Sequence, residues 1–248
     1  MRRVALKIAY LGTDYYGFQR QPGLTTVEGE ILSALEELDV VGDMDNCSFQ
    51  IAGRTDRGVH ALGNVISFLT EGRVIINQIN DVLPRSIRIL AQTNVPLNFR
   101  ARYAQNRHYR YLLVAEPFWD GDNLEFHDMV EAAKLFTGTH DFRNFSKRSE
   151  RNPVRTIESM EIRKYEDLIR VDVIGESFLW NMVRKIVSVL LMVGEGEINP
   201  EDIDEYFNPH KEFPIRPAPP EGLILMDVKY SGMEFKEDSY AINSFRSF

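Results

Sequence analysis

The chain has 248 residues, 44% of them hydrophobic, and a formal net charge of −8, enough for one large domain or two small ones around a sizeable core. Its single cysteine, Cys47, excludes an intrachain disulfide and a Cys-rich zinc site, and it fits a reducing, cytoplasmic setting. No apolar run reaches bilayer length without a charge.

In chain order, residues 4–10 predict a strand. The opening Met-Arg-Arg-Val-Ala-Leu-Lys-Ile is too short and too strand-like for a signal peptide. A loop follows, with Gly12, Gly17, Pro22 and Gly23. Thr25-Thr26-Val27-Glu28 has capping-box spacing and opens a helix with Ile31, Ala34, Leu35 and Leu38 on one face. Cys47–Ala52 and Asn64–Leu69 predict strands, residues 77–83 a short helix ended by Pro84, and Ser86–Thr93 and His108–Ala115 two more strands. This order is β-α-β-β-α-β, the split βαβ or ferredoxin-like pattern.

The pattern recurs after Glu116-Pro117. Phe126–Phe136 is helical, with Met129, Ala132, Ala133 and Phe136 facing one way. Arg155–Lys164 and Leu168–Ile174 predict a hairpin, and Phe178–Val193 a buried amphipathic helix that carries Arg184 and Lys185. A Pro-rich stretch, 213–220, leads to a last strand, Leu223–Tyr230, and the tail after Ser231 is expected to be loose. The expected organisation is two related α+β halves, residues 1–104 and 105–248.

The acidity is local. Glu195 to Asp238 holds twelve acidic and four basic residues, a net of −8, which is the whole excess. Asn98–Tyr111 holds Arg100, Arg102, Arg107 and Arg110 and no acid, and Arg143–Arg155 holds Arg143, Lys147, Arg148, Arg151 and Arg155 against Glu150. Patch sign decides phosphate binding more than net charge does, and Tyr103, Tyr109 and Tyr111 add stacking groups. These runs read either as solvated surface or as an RNA footprint.

The most informative stretch is Gly53-Arg-Thr-Asp56-Arg-Gly-Val-His-Ala61, one carboxylate between two arginines in a glycine-flanked turn. Asp56 reads either as a turn aspartate capping local N–H groups and pairing with a neighbouring arginine, or as a nucleophile or general base kept ionised by its guanidinium neighbours. On Arg107-His-Tyr109-Arg-Tyr111, period two puts Tyr109 and Tyr111 on one strand face and His108 and Arg110 on the other. Tyr111 is read as core, and Tyr109 as core or as a stacking ring. His140, in Gly138–Phe145, is read as a capping or packing residue in a helix-exit turn. Arg184 either snorkels to water or pairs with a carboxylate, for which Asp56 is the natural candidate. No His or carboxylate cluster has ligand spacing, so no metal is expected.

Taken together these pieces resemble the TruA family of tRNA pseudouridine synthases, nearly end to end. The resemblance is carried by Tyr15–Gln21, Ala52–Ala61, Leu83-Pro84 with Ile87, Phe99–Arg102, Arg107–Tyr111, His140–Phe145, Phe178 through Val187, and Glu221-Gly222-Leu223. It implies two ferredoxin-like halves about a pseudo-twofold, an antiparallel sheet with helices on one side, and a catalytic cleft between the halves. It implies isomerisation of uridine to pseudouridine at positions 38–40 of the anticodon stem-loop, by a homodimer without cofactor.

Residue by residue, Asp56 matches the catalytic nucleophile and Arg184 the arginine that pairs with it. Tyr109 matches the tyrosine that stacks on the target uracil, and Arg54 the arginine that holds the target nucleotide out of the helix. Arg57 stands where the family pattern often has Ala, and it is read as a phosphate ligand. Arg20, Arg102, Arg107, Arg143, Lys147 and Arg148 are read as RNA contacts. The rival readings are an RNA-binding protein without catalysis, an aspartate-dependent hydrolase of a small molecule, and a synthase of the same family with another RNA target.

Overall fold

The computed structural model describes residues 1–114, 124–147 and 152–246, in two compact units, Met1–Gln105 with Ile224–Phe248 and Asn106–Leu223. The architecture is α+β. In the first unit β1 (Arg2–Tyr10) is followed by α1 (Val27–Glu37), β2 (Gln50–Ile51), β3 (His60–Thr70), α2 (Ile76–Val82) and β4 (Ile87–Val95). β1 pairs antiparallel with both β3 and β4, and β2 pairs antiparallel with β3. The resulting order, β4-β1-β3-β2, is the ferredoxin-like arrangement expected from the β-α-β-β-α-β pattern.

β1 and β3 form the centre. Leu6, Ile8, Val65, Ile66 and Phe68 are buried, and α1 adds Val27, Ile31 and Leu35. α1 begins one residue later than the capping-box spacing suggests. Thr26 is the cap and accepts from Gly29 N at 3.2 Å. Glu28 instead turns its carboxylate to Arg20 N at 2.6 Å, so the first turn is tied to the preceding loop.

The second unit contains β5 (Asn106–Val114), α3 (Phe126–Leu135), β6 (Gly138–Asp141), β7 (Val154–Tyr165), β8 (Leu168–Gly175), α4 (Met182–Gly194) and the short α5 (Ile203–Tyr206). β5 pairs with β8, β8 with β7 and β7 with β6, all antiparallel. Gly138–Asp141 is therefore an edge strand, with His140 opposite Arg155, and the expected turn is confined to the 3-10 turn at Arg143–Phe145. α4 starts later than the expected Phe178, because Asn181 at φ 67° breaks the helical path before it. Leu190, Ile186, Val187, Met129 and Ala132 are buried in this unit.

The chain then returns to the first unit through β9 (Leu223–Lys229), β10 (Lys236–Glu237) and α6 (Ser239–Arg246). Residues from Ile224 onward therefore cluster with the first unit, not with the expected second half. The cause is pairing: β9 lies parallel to β3 at His60↔Ile224 and Ala61↔Leu225, and β10 pairs with β4. Nor is the tail loose. Asp238 caps α6, accepting from Ala241 N at 2.9 Å, and Ala241 and Phe245, four apart, are both buried. Among the described residues no helix is long and apolar enough to cross a membrane.

Candidate active site

Asp56 lies in the loop between β2 and β3, half-buried between exposed Arg54 and exposed Arg57. Two sets of bonds fix that loop. On the sheet side, Thr55 Oγ1 meets the hydroxyl of fully buried Tyr10 at 2.8 Å. Buried Asn64 donates through Nδ2 to Tyr10 Oη at 3.1 Å and to Gly53 O at 2.8 Å. On the other side stands the loop that follows β1. Phe18 N donates to Thr55 O at 3.0 Å, Gly58 N to Gly12 O at 3.2 Å, and Gly12 N to His60 Nδ1 at 3.0 Å. Asp56 itself closes the turn, its carbonyl accepting from Val59 N at 3.1 Å.

Two glycines make this contact possible. A Cβ on Gly12 would sit 2.1 Å from Val59 O. Gly17 has φ +91°, and a Cβ there would meet Thr55 O at 3.1 Å and Arg57 N at 3.3 Å. The Tyr15–Gln21 and Gly53–Ala61 segments, distant in sequence, are thus one local structure. The Arg57 guanidinium lies over the Tyr16 ring, 4.5 Å from its centroid.

The second unit holds Tyr109 and Arg184. β5 alternates as expected: Arg107, Tyr109, Tyr111 and Leu113 are on the buried face. Tyr109 meets Phe178 edge to face at 5.1 Å. Tyr111 donates to Pro219 O at 2.7 Å, and burial pushes its phenol well above the usual range. A Cβ on Gly222 would lie 2.6 Å from the Tyr111 ring, which accounts for the glycine in Glu221-Gly222-Leu223. Arg184, half-buried, donates through Nε to Ala218 O at 2.6 Å, while Ala218 N donates back to Arg184 O at 3.2 Å. The Pro-rich strap thus fixes the guanidinium. Next to it, Lys185 donates to Asn144 O at 3.0 Å and Ser146 O at 2.8 Å, and burial pushes its amine down.

The expected RNA contacts separate into groups. Arg107 is 7% exposed and donates to Glu176 O, so it is a strand-anchoring residue and not a surface cation. Arg20 is exposed and pairs with Asp45 at 2.6 Å. Arg102 is exposed and lies over Tyr103, itself 66% exposed, at 4.6 Å. Arg143 grips Asp141 through Nε and Nη2 at 2.7–3.1 Å, which holds that carboxyl below its ordinary range. Lys147 stands over Trp180 at 4.4 Å. Arg148 falls outside the described residues.

His140 packs, as expected, stacking on Phe207 at 4.2 Å. The sequence analysis missed a cluster on the opposite face of β5 and β8. There Asp172 meets His108 Nε2 at 2.6 Å, Arg110 Nε at 2.9 Å and Arg170 Nε at 2.8 Å. Burial raises the Asp172 carboxyl, but the hydrogen bonds from Arg110 and His108 outweigh it and hold it below the usual range. The alternation that puts Arg110 opposite Asp172 was the available signal.

A loop-held aspartate flanked by arginines, on a ferredoxin-like α+β unit, is an arrangement with which covalent or general-base chemistry on an anionic substrate is compatible. The family model described as tRNA pseudouridine synthase matches residues 7–104 and 132–231, and the chain belongs to that family. The tRNA pseudouridine synthase A of Methanothermobacter thermautotrophicus is 52% identical over 248 residues, covering 100% of this chain and 88% of that protein. That of Methanosphaera stadtmanae is 45% identical, covering 100% and 91%. That of Thermococcus sibiricus is 40% identical, covering 97% and 89%.

Proposed function

We propose that the protein isomerises uridine to pseudouridine in the anticodon stem-loop of tRNA, positions 38–40, as a cytoplasmic homodimer in which each chain has two pseudo-twofold-related halves. Asp56 is the nucleophile. The observation that carries the reading is the Asp56 loop itself, a turn tied from two sides through Gly53, Thr55 and Gly58 that presents a half-buried aspartate between Arg54 and Arg57. A surface turn aspartate needs no such anchoring, whereas a reacting group does.

The target nucleotide is stacked in a helix and must be flipped out, at a cost of a few kcal/mol. Arg54, exposed beside Asp56, holds it out, and Tyr109 stacks on the uracil. Asp56 attacks at ribose C1′ or at C6 of the ring, and the N-glycosidic bond breaks. The uracil turns, C5 bonds to C1′, the bond to Asp56 breaks and returns the carboxylate, and the C5 proton leaves to a base. A carboxylate suits this because it traps or stabilises a sugar cation. Arg184, fixed by Ala218, pairs with Asp56 and orients it. Arg20, Arg57, Arg102, Arg143, Lys147 and Arg148 neutralise phosphates, each flattening with its loss the salt dependence of binding.

The test is pseudouridine mapping on unmodified tRNA with wild type and Asp56→Asn side by side. Conversion by wild type alone supports the reading. Binding without conversion by either protein overturns the enzymatic assignment, and conversion at other uridines overturns the target. Arg184→Ala is expected to cut single-turnover rate far more than tRNA affinity, and an unchanged rate sinks its role.

A further inference from the structure

Tyr16 has no part in the chemistry above, yet its ring is 43% exposed in the loop that clasps Asp56. Its backbone is pinned, N donating to Thr25 O at 2.9 Å and O accepting from Gln21 Nε2 at 3.1 Å. Gly17 then brings it alongside residue 57, since a larger residue at φ +91° would strike Thr55 O and Arg57 N. The result is the Arg57 guanidinium over the Tyr16 ring at 4.5 Å. Among the described residues Arg57 has no carboxylate partner.

We propose that Tyr16 is a positioning residue: it holds Arg57 flat so that the guanidinium edge grips a phosphate of the RNA strand next to the nucleotide presented to Asp56. The inference rests on Asp56 as the reacting group and adds the subsite beside it. An unrestrained exposed arginine loses side-chain rotamer freedom on binding. Stacking removes much of that loss beforehand and occupies only the faces of the guanidinium, leaving its in-plane N–H donors for a bidentate phosphate contact. The partner assigned to this position is a phosphodiester.

The experiment compares wild type, Tyr16→Phe, Tyr16→Leu, Arg57→Ala and the Tyr16→Leu/Arg57→Ala double variant, by steady-state kinetics and by tRNA binding across salt concentrations. Arg57→Ala is expected to flatten the log–log salt slope by about 0.7–0.9, one phosphate contact. Tyr16→Leu is expected to raise KM about two- to fivefold with kcat unchanged, and to add nothing in the double variant. Tyr16→Phe keeps the ring and behaves as wild type. Should Leu disturb the loop, Tyr16→Trp carries the test, because indole is the stronger cation partner and a raised KM there overturns the proposal. Additive effects, or an unaltered KM in Tyr16→Leu, also overturn it. Failure of the Asp56 reading looks different: Asp56→Asn would still convert tRNA, or wild type would not.

Discussion

The hydroxyls of Tyr10 and Thr55 meet at 2.8 Å in the core, one residue before Asp56. A third group, Asn64 Nδ2, shares the Tyr10 oxygen at 3.1 Å. The Asp56 loop therefore hangs from the central strands through side chains, and those side chains transmit the rigidity of the sheet to it.

Removing the shared oxygen leaves two buried polar groups short of a partner. Tyr10→Phe is expected to cost about 1–3 kcal/mol in thermal unfolding. Because the loop loosens while the RNA-facing surface is kept, single-turnover rate is expected to fall by roughly ten- to a hundredfold at unchanged tRNA affinity. Equal losses in rate and affinity would contradict the positional account.

Gly12 and Gly23 make a controlled pair. A Cβ at Gly12 would lie 2.1 Å from Val59 O, whereas Gly23, at φ +72°, has nothing within 4 Å. Gly12→Ala should destabilise by more than about 2 kcal/mol and abolish turnover, since the two loops must part. Gly23→Ala should cost only the backbone strain, about 1–2 kcal/mol, and keep activity. Chemical denaturation and activity assays on the two variants check this.

Asp172 predicts the acid limb of the stability curve. Its folded-state carboxyl titrates below the unfolded value. Its contribution is therefore complete above the unfolded pKa, about 4, and is lost as pH falls through the folded one. Asp172→Asn should lower stability at neutral pH by about 1–3 kcal/mol. The gap to wild type should be constant above roughly pH 5 and close below pH 4. Melting temperatures across pH read both features, and a gap that widens in acid would refute the assignment.

α6 is held by Phe245 and Ala241. Phe245→Ser should remove about 1.5–3 kcal/mol of burial from this helix. Amide exchange should quicken across Ser239–Arg246 while α1 and β1 keep their protection. Loss of protection in β1 would show that the helix is instead integral to the sheet.

Much of this was legible. Short apolar runs at Val4–Tyr10 and Asn64–Leu69 located the central strands, and glycine spacing around Asp56 located the loop. What escaped was of two kinds. Some signals were local and overlooked: period two already places Arg107 with Tyr109 and Tyr111 on the inner face, and Asp238 before Ser239 is a helix-start pattern. Others were long-range and had no local trace. Nothing near Arg184 announces that Ala218 will hold it, and Gly222 makes sense only beside Tyr111. The roles of Asp56, Arg184 and Tyr109 came from resemblance, because a carboxylate, a guanidinium and a phenol have many uses on any fold.

β3 carries two neighbours on one side: β2 at Ser67 and Ile66, and β9 at His60 and Ala61, directly after the Asp56 loop. The ribosome delivers β2 and the loop long before Ile224. A nascent chain released or paused after residue 105 would thus hold a nearly complete sheet with the exit of its reactive loop unpaired. Locking that loop waits on the closing strand, so the Asp56 turn gains its final support only after Ile224 and Leu225 have been made.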